Sequence, residues 1–390
     1  MNRIEKLIQE RCPNGVPFYS LRDVAPYSKI KIKATELDST NFVGVDNLRP
    51  NFGGREDSAY GPNAKTATEY SQGDVLIGNI RPYLKKVWLA DRKGGASGDV
   101  LVLSLNETGK QLIAPGFLYW NLASDAFISY NNKFARGGKM PRGDKNKILD
   151  YRVPVPPLVV QREIVKVLDL FTELEAELEA ELEARRKQYE YYLEELVARS
   201  QVGDKYLLGE LAAAGVVTMG RGKVISKKDL ASHPGEYPVY SSSSVGVGEF
   251  GRYGSYMFDD ERITWSVDGG GRFFYRPPHR YSVTNVSGWM TADPQTLNVR
   301  YLYYVLDNKW RREKFDYTRK AHPSVIREVY SLSLPPLEVQ DQVCGQLAKF
   351  DALVNDLSSG LPAEIEARRK QYEYYRDKLL TFKELESDAA

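Results

Sequence analysis

The sequence predicts an α+β protein. Two similar α/β domains should be separated by two long antiparallel helices that form a coiled coil, giving an internal repeat of pseudo-two-fold character. Three observations predict this. The octapeptide RRKQYEYY at Arg185 to Tyr192 returns unchanged at Arg368 to Tyr375. An identity of that length between distant parts of one chain marks a duplication, and repeats decide architecture ahead of local propensity. Pro156-Pro157-Leu158 with Gln161 is mirrored by Pro335-Pro336-Leu337 with Gln340. ELEA tetrads run from Glu173 to Ala184, directly before the first octapeptide. The boundaries expected from these marks are 1–156 and 201–334 for the α/β domains, 157–200 and 335–384 for the helical spacers, and 385–390 for a tail.

Ile4 to Glu10 reads as a short helix, and Pro13 to Pro17 as a turn. Strand-like runs follow at Phe42–Val45, Asp74–Gly78, Val87–Ala90 and Asp99–Leu103, punctuated by Gly and Asn as in a mixed or antiparallel sheet. Phe117 to Ile128 carries apolar residues at helical spacing and predicts one helix. The segment Arg136 to Lys147, RGGKMPRGDKNK, is expected to be a flexible basic loop with Asp144 its only acid. Pro157 suits the first turn of a helix, where its missing N–H costs nothing. That helix is expected to run to about Ser200.

Its apolar stripe begins with Ile164, Val165, Leu168 and Phe171. It continues through Leu174, Leu178 and Leu182, then Tyr189, Tyr192, Leu193 and Leu196. A four-residue step turns ~400°, so the stripe drifts ~40° per tetrad. Such a helix has no core of its own and needs a partner. The second copy supplies one through Leu347, Phe350, Leu353, Val354 and Leu357. There Ser358 to Pro362 should break the helix, with Pro362 opening a new one that carries Ile365, Tyr372, Tyr375, Leu379 and Phe382. Between the spacers, Tyr206–Leu211 echoes Phe18–Val24, and Tyr301–Tyr304 echoes Phe117–Trp120. The contents in between differ, which suggests one fold carrying two specificities.

Charge is unevenly distributed. Lys and Arg stand against Asp and Glu as 23 to 16 in residues 1–156, 6 to 11 in 157–200, 18 to 14 in 201–334, and 7 to 11 in 335–390. Basic domains joined by acidic spacers fit two polyanion-binding modules. The candidate DNA contacts are Arg81, Lys85, Arg136, Lys139, Arg142, Lys145 and Lys147 in the first domain. In the second they are Arg221, Lys223, Arg272, Arg319 and Lys320. The glutamates of the tetrads would repel phosphate, so the helix is expected to be a spacer and not a reader. Cys12 and Cys344 cannot make a disulfide framework and fit a reducing compartment. The N-terminus lacks the apolar stretch of a signal peptide, and no run approaches the ~20 apolar residues of a membrane helix. A cytoplasmic protein is expected.

Catalytic signatures are weak. Gly215 to Gly220 is followed by Arg221, where a phosphate-binding loop needs Gly-Lys-Ser/Thr. Arg276-Pro277-Pro278-His279 lacks the amide or acid that an amino-methyltransferase uses to hold its target amine. His233, His279 and His322 are scattered, neither cysteine has metal-ligand spacing, and Ser241 to Ser244 reads as a polar turn.

In this arrangement the chain resembles the specificity subunit of Type I restriction–modification enzymes. The resemblance is carried by both Pro-Pro-Leu…Gln starts, the tetrads and both octapeptides. Gly73-Asp74-Val75-Leu76-Ile77 with Ile80-Arg81-Pro82-Tyr83-Leu84 adds to it. Arg262 to Ser266 is expected to fill the corresponding strand of the second domain, and Val160 and Val339 stand where many relatives have Glu. The resemblance implies two target-recognition domains, each reading half of a bipartite site in double-stranded DNA. It implies two methyltransferase subunits docked on the helices and recognition domains, and restriction subunits joining that core. Leu168, Phe171, Leu174, Leu178, Leu182, Tyr189, Leu347, Phe350, Leu357, Tyr372 and Tyr375 would then form the spacer and docking helices. S-adenosylmethionine, ATP and Mg would reside on the partner subunits, and this chain would be non-catalytic. A stand-alone DNA-modifying enzyme and a DNA-independent coiled-coil scaffold are the alternatives.

One tetrad adds ~6 Å of helix, between one and two base-pair steps of ~3.4 Å. Deleting Glu177 to Ala180 should therefore shorten the untouched gap of the target and leave both half-sites as they are. Sequencing of methylated genomic DNA reads that gap, and an unaltered gap would refute the spacer reading.

Overall fold

The structure is a computed structural model that describes residues 3–242, 247–268, 270–316, 318–355 and 360–386. The chain forms two compact units: Met1–Glu177 with Ile365–Ala390, and Leu178–Glu364. Among the described residues, no helix is long and apolar enough to cross a membrane.

In the first unit, Phe18–Ser20 pairs antiparallel with Arg152–Pro154, and Leu21 N–H donates to Tyr151 O at 2.9 Å. The domain is thereby closed at its base. A three-stranded sheet runs Val87–Leu89, Val75–Gly78, Val100–Leu103, and a four-stranded sheet runs Lys31–Lys33, Thr66–Tyr70, Gly94–Ala96, Phe42–Val43. The apolar run at Val75–Gly78 has no alternation because both its faces are covered, as a fully buried strand requires. Val75 and Ile77 join the core with Phe117, Leu118 and Leu168, while Leu76 joins Tyr70 and Trp88 on the other side. The single helix expected over Phe117–Ile128 is two, Pro115–Leu122 and Asp125–Phe134. Ser124 Oγ accepts from Phe127 N–H and so caps the second, a local signal that prevails over the apolar spacing.

The second unit repeats the frame. Tyr206–Leu207 pairs with Ser331–Leu332, and Leu208 N–H donates to Tyr330 O at 2.9 Å. Arg262–Ser266 is the inner strand expected there, lying between Phe273–Arg276 and Ser287–Ala292, with Val217–Arg221 outside. Glu249–Tyr253, Tyr237–Tyr240 and Ser282–Val283 form a smaller sheet. Helix Val299–Trp310 packs its Tyr301, Leu302, Val305 and Leu306 into the core.

The first spacer helix is Leu158–Ser200, as the proline start predicted. The second copy is described as two helices, Leu337–Asn355 and Leu361–Leu380, the second opening with Pro362 in its first turn as expected. Leu357, Ser358 and Ser359 lie outside the described residues. Within the first unit, Phe171 stacks on Tyr375 at 6.0 Å and 12° and meets Tyr372 edge-on. One turn later Glu175 pairs with Arg369 at 2.5 Å, so the two helices run antiparallel. Within the second unit, Phe350 stacks on Tyr192 at 5.1 Å and 26°. Phe171 and Phe350 are equivalent by repeat, as are Tyr375 and Tyr192, so the contact is exchanged between the two copies.

Leu168, Leu347 and Tyr189 are buried, and Leu178 and Leu182 are half-buried, as the stripe requires. Leu174 and Leu353 depart from expectation: both are exposed, Leu174 by 45%. Facing positions follow Phe171, Glu175, Leu178, Leu182, a step alternating four and three, whereas the tetrads step by four and rotate Leu174 away.

The glutamines of the duplicated motif explain the motif. Gln161 is fully buried; its Oε1 accepts from Ala114 N–H at 2.9 Å, and its Nε2 donates to Leu112 O and Pro156 O. Gln340 is fully buried too; its Oε1 accepts from Asn298 N–H at 2.8 Å, and its Nε2 donates to Thr296 O and Pro335 O. Each glutamine thus ties the start of a spacer helix to the start of a domain helix. Gln161→Met and Gln340→Met should each lower stability by roughly 1–3 kcal/mol, the cost of stranding buried backbone groups. Urea denaturation checks the size. Hydrogen exchange should show the loosening near 112–118 for the first variant and near 296–302 for the second.

Candidate nucleic-acid interface

In the first unit, four predicted cations come together. Arg136 and Arg142 exchange backbone hydrogen bonds at 2.9 and 2.8 Å, so the segment is a closed turn and not the flexible loop expected. Ile80 bridges Arg142, and Arg81 N–H donates to Pro141 O at 2.7 Å. These bonds hold Arg81 in the left-handed region at φ 53°, which few non-glycine residues adopt. Gly143 lets the turn sit close: a Cβ there would stand 2.5 Å from Asn131 Oδ1 and 2.9 Å from Asn79 Oδ1. Arg81, Arg136, Lys139 and Arg142 all stay exposed. Arg142 meets Asp99 at 3.1 Å and Arg136 meets Asp144 at 3.8 Å, open ion pairs of small net worth that a phosphate can displace.

Lys145 and Lys147 lie next to this turn, but on helix Lys145–Asp150, whose N-cap is Asp144 accepting from Asn146 and Lys147 N–H. Lys147 leans toward Asp150 and the Phe134 ring. Lys85 is drawn elsewhere. It pairs with Asp125 at 2.8 Å and covers Phe52, and the same Asp125 holds Arg376, which is buried in the first unit. Lys85 is therefore part of the scaffold and not of the exposed group.

A groove of about 500 Å³ opens beside the turn, lined among others by Lys31, Asp46, Tyr60, Thr68, Ile80 and Asp99. Tyr60 O–H donates to Asp46 at 2.5 Å, and this bond, with burial, pushes the phenol up to about 12. The groove offers hydroxyls, a carboxylate and an ammonium beside the exposed arginines. Sequence reading missed it because its residues come from five separate segments with no spacing rule.

In the second unit, Val267 N–H donates to Val286 O and Ala321 N–H donates to Val267 O, both at 3.0 Å. Val267 thus links the segment that ends in Lys320 and Ala321 to the segment at Val286. Arg221 donates to Asn285 O, and Lys223 N–H to Val283 O. Lys320 meets Asp268 at 2.9 Å, and Arg319 meets Glu313 at 3.1 Å, again exposed pairs. Arg272 is not with them. It is half-buried and lines a separate cleft of about 480 Å³ with Arg276, Asp307 and Trp310. Arg276 itself is buried on the Tyr240 ring at 3.5 Å, and burial lowers it to about 10.

Two units of one frame each carry exposed lysines and arginines on turns tied by backbone hydrogen bonds. The chain belongs to the Type I restriction modification DNA specificity domain family, whose model matches residues 13–184 and 208–367. It is 34% identical over 236 residues to a type I specificity subunit of Mycoplasma pneumoniae, covering 58% of this chain and 92% of that one. A Haemophilus influenzae type I restriction enzyme specificity subunit is 32% identical over 295 residues, 70% of this chain and 74% of the relative. The fold is similar to the crystal structure of a type I S subunit from M. genitalium, with a TM-score of 0.62 and 14% identity, covering 94% and 96% of the two chains. A chain from a study of type I complex assembly and conformational transition gives 0.60 with 19% identity, covering 95% and 98%.

Replacing Arg81, Lys139 and Arg142 together with Gln should flatten the salt dependence of DNA binding by about two to three counterions. Lys85→Gln should leave that slope unchanged and lower thermal stability instead. Binding titrations across a range of salt separate the two outcomes.

Proposed function

We propose that the chain is the DNA-reading, non-catalytic subunit of a type I restriction–modification complex. Each unit reads one half of a bipartite duplex target, the first through the Arg81, Arg136, Lys139 and Arg142 turns, the second through Arg221, Lys223, Arg319 and Lys320. Phosphate contacts from these side chains set position, and groove-lining polar groups such as Tyr60 and Asp46 select bases. Methyltransferase and restriction subunits are directed to the site by this chain and carry S-adenosylmethionine, ATP and Mg. The complex acts in the cytoplasm.

The observation that carries this reading is the pairing of a shared frame with unlike exposed surfaces. Gln161 and Gln340 make equivalent sets of three bonds, while the strands of the two domains bear different side chains. A duplicated scaffold with diverged reading surfaces suits two unrelated half-sites. Exchanging residues 201–334 for those of a relative should change one half of the methylated motif and preserve the other. Methylome sequencing gives the answer directly; a motif altered in both halves, or in neither, would contradict the assignment.

A further inference from the structure

The second unit holds two arginines that its own acids do not meet. The first is Arg276, which is only 5% exposed. Its Nε donates to Thr264 Oγ1 at 3.0 Å, and its guanidinium lies on the Tyr240 ring. Among the described residues no carboxylate pairs with it; the titratable groups that act on it are tyrosines. The first unit treats its buried arginine differently, since Arg376 meets Asp125 at 2.7 Å. A buried cation without a counter-charge is costly to a fold.

The second is Arg186. The octapeptides set it level with Arg369, which holds Glu175 in the first unit. Glu175 stands four residues after Phe171; four residues after the matching Phe350 stands Val354. The second unit thus has a valine where the first has the acid. Arg186 is exposed and makes no ion pair among the described residues. Arg186, Arg276 and Val354 all line the one cleft of about 480 Å³. The acids of that cleft are engaged: Asp307 accepts from Arg311 Nε and Nη2, each at 3.2 Å, and Asp351 meets Arg300 at 3.7 Å. The cleft therefore carries an excess of positive charge. It also offers rings. Trp310 is fixed by its Nε1 donating to Gly270 O at 2.7 Å, and Phe274 is half-buried against Arg272.

We propose that this cleft binds a small phosphate ester bearing a flat ring, of the nucleoside monophosphate class. The phosphate supplies the counter-charge that Arg186 and Arg276 lack within their unit. Planar guanidinium groups suit it, because they hold two oxygens of one phosphate at a time. Trp310 and Phe274 give the ring a face to lie on. The volume is that of a small-ligand site. The site goes beyond the DNA-reading assignment and does not depend on it.

Isothermal titration calorimetry of the full chain with AMP, adenosine and inorganic phosphate tests this. AMP should bind at least roughly tenfold tighter than either fragment. Arg186→Gln and Arg276→Met should each weaken AMP by roughly tenfold or more. Methionine removes a buried charge, so Arg276→Met should not lower the thermal midpoint of the free chain; AMP should no longer raise it. Should that variant misfold, Arg186→Gln, at an exposed position, still decides. The salt dependence of DNA binding should stay unchanged in both variants. No binding of AMP at millimolar concentration, or an affinity that neither substitution moves, would overturn the proposal and leave the DNA-reading role intact. A salt slope flattened by Arg276→Met would assign the cleft to duplex phosphate and overturn it equally.

Discussion

Phe171 lies flat on Tyr375, and Phe350 lies flat on Tyr192. The rest of the molecule depends on this exchange. Each repeat lends its octapeptide to the other repeat's helix, as the two halves of an isologous dimer would, but within one chain. Such a pair contributes ~0.5–1.5 kcal/mol beyond its buried area. Its larger effect is on completeness. Leu379 and Leu380 belong to the core that holds Leu118 and Leu168, and Tyr189, Leu193 and Val197 belong to the core that holds Leu302 and Leu347. Neither domain closes its core with its own spacer segment alone.

The acidic spacers do more than stay away from polyanions. Glu175 holds Arg369, Glu190 holds Arg311 at 2.7 Å, and Glu194 holds Arg312. Basic residues near the helices are thus committed to the scaffold, as Lys85 and Arg376 are through Asp125. The cations on the turns of the two units, by contrast, meet carboxylates of their own domains. Charge counts by segment could suggest two basic domains. Only the geometry separates the lysines and arginines that support from those that can meet a phosphate.

Much of the fold was legible because it rests on repetition and on strong local signals. Pro157 announced the helix start, Pro362 the second opening, and the Asp74–Gly78 run a strand. The two Pro-Pro-Leu…Gln motifs marked equivalent joints before their bonds were known. Other features were hidden for physical reasons. The cap at Ser124 breaks a helix that apolar spacing would continue. Leu174 fits a four-residue rhythm, but helices in contact obey an alternating four and three. Arg272 lines a cleft apart from the turns that carry the other cations of its unit. The groove at Tyr60 and Asp46 is assembled by tertiary structure, so no sequence window contains it. Lys139 and Arg142 sit on a turn that looked loose because Gly137, Gly138 and Gly143 suggest freedom; backbone bonds from Asn79 to Arg81 remove it.

The first unit is built from both ends of the sequence, whereas the second is continuous from Leu178 to Glu364. Val16 N–H donates to Lys383 O at 2.8 Å, Leu385 N–H donates to Val16 O at 3.0 Å, and Arg152 clasps Glu384. Ribosomal synthesis therefore meets the units in an inverted order. The domain made first must wait, with the surface meant for Leu379 and Leu380 uncovered, while the whole of the other is translated and free to fold. At ~5–20 residues per second that delay lasts on the order of ten seconds or more. The nascent first domain is then the stretch most in need of a chaperone.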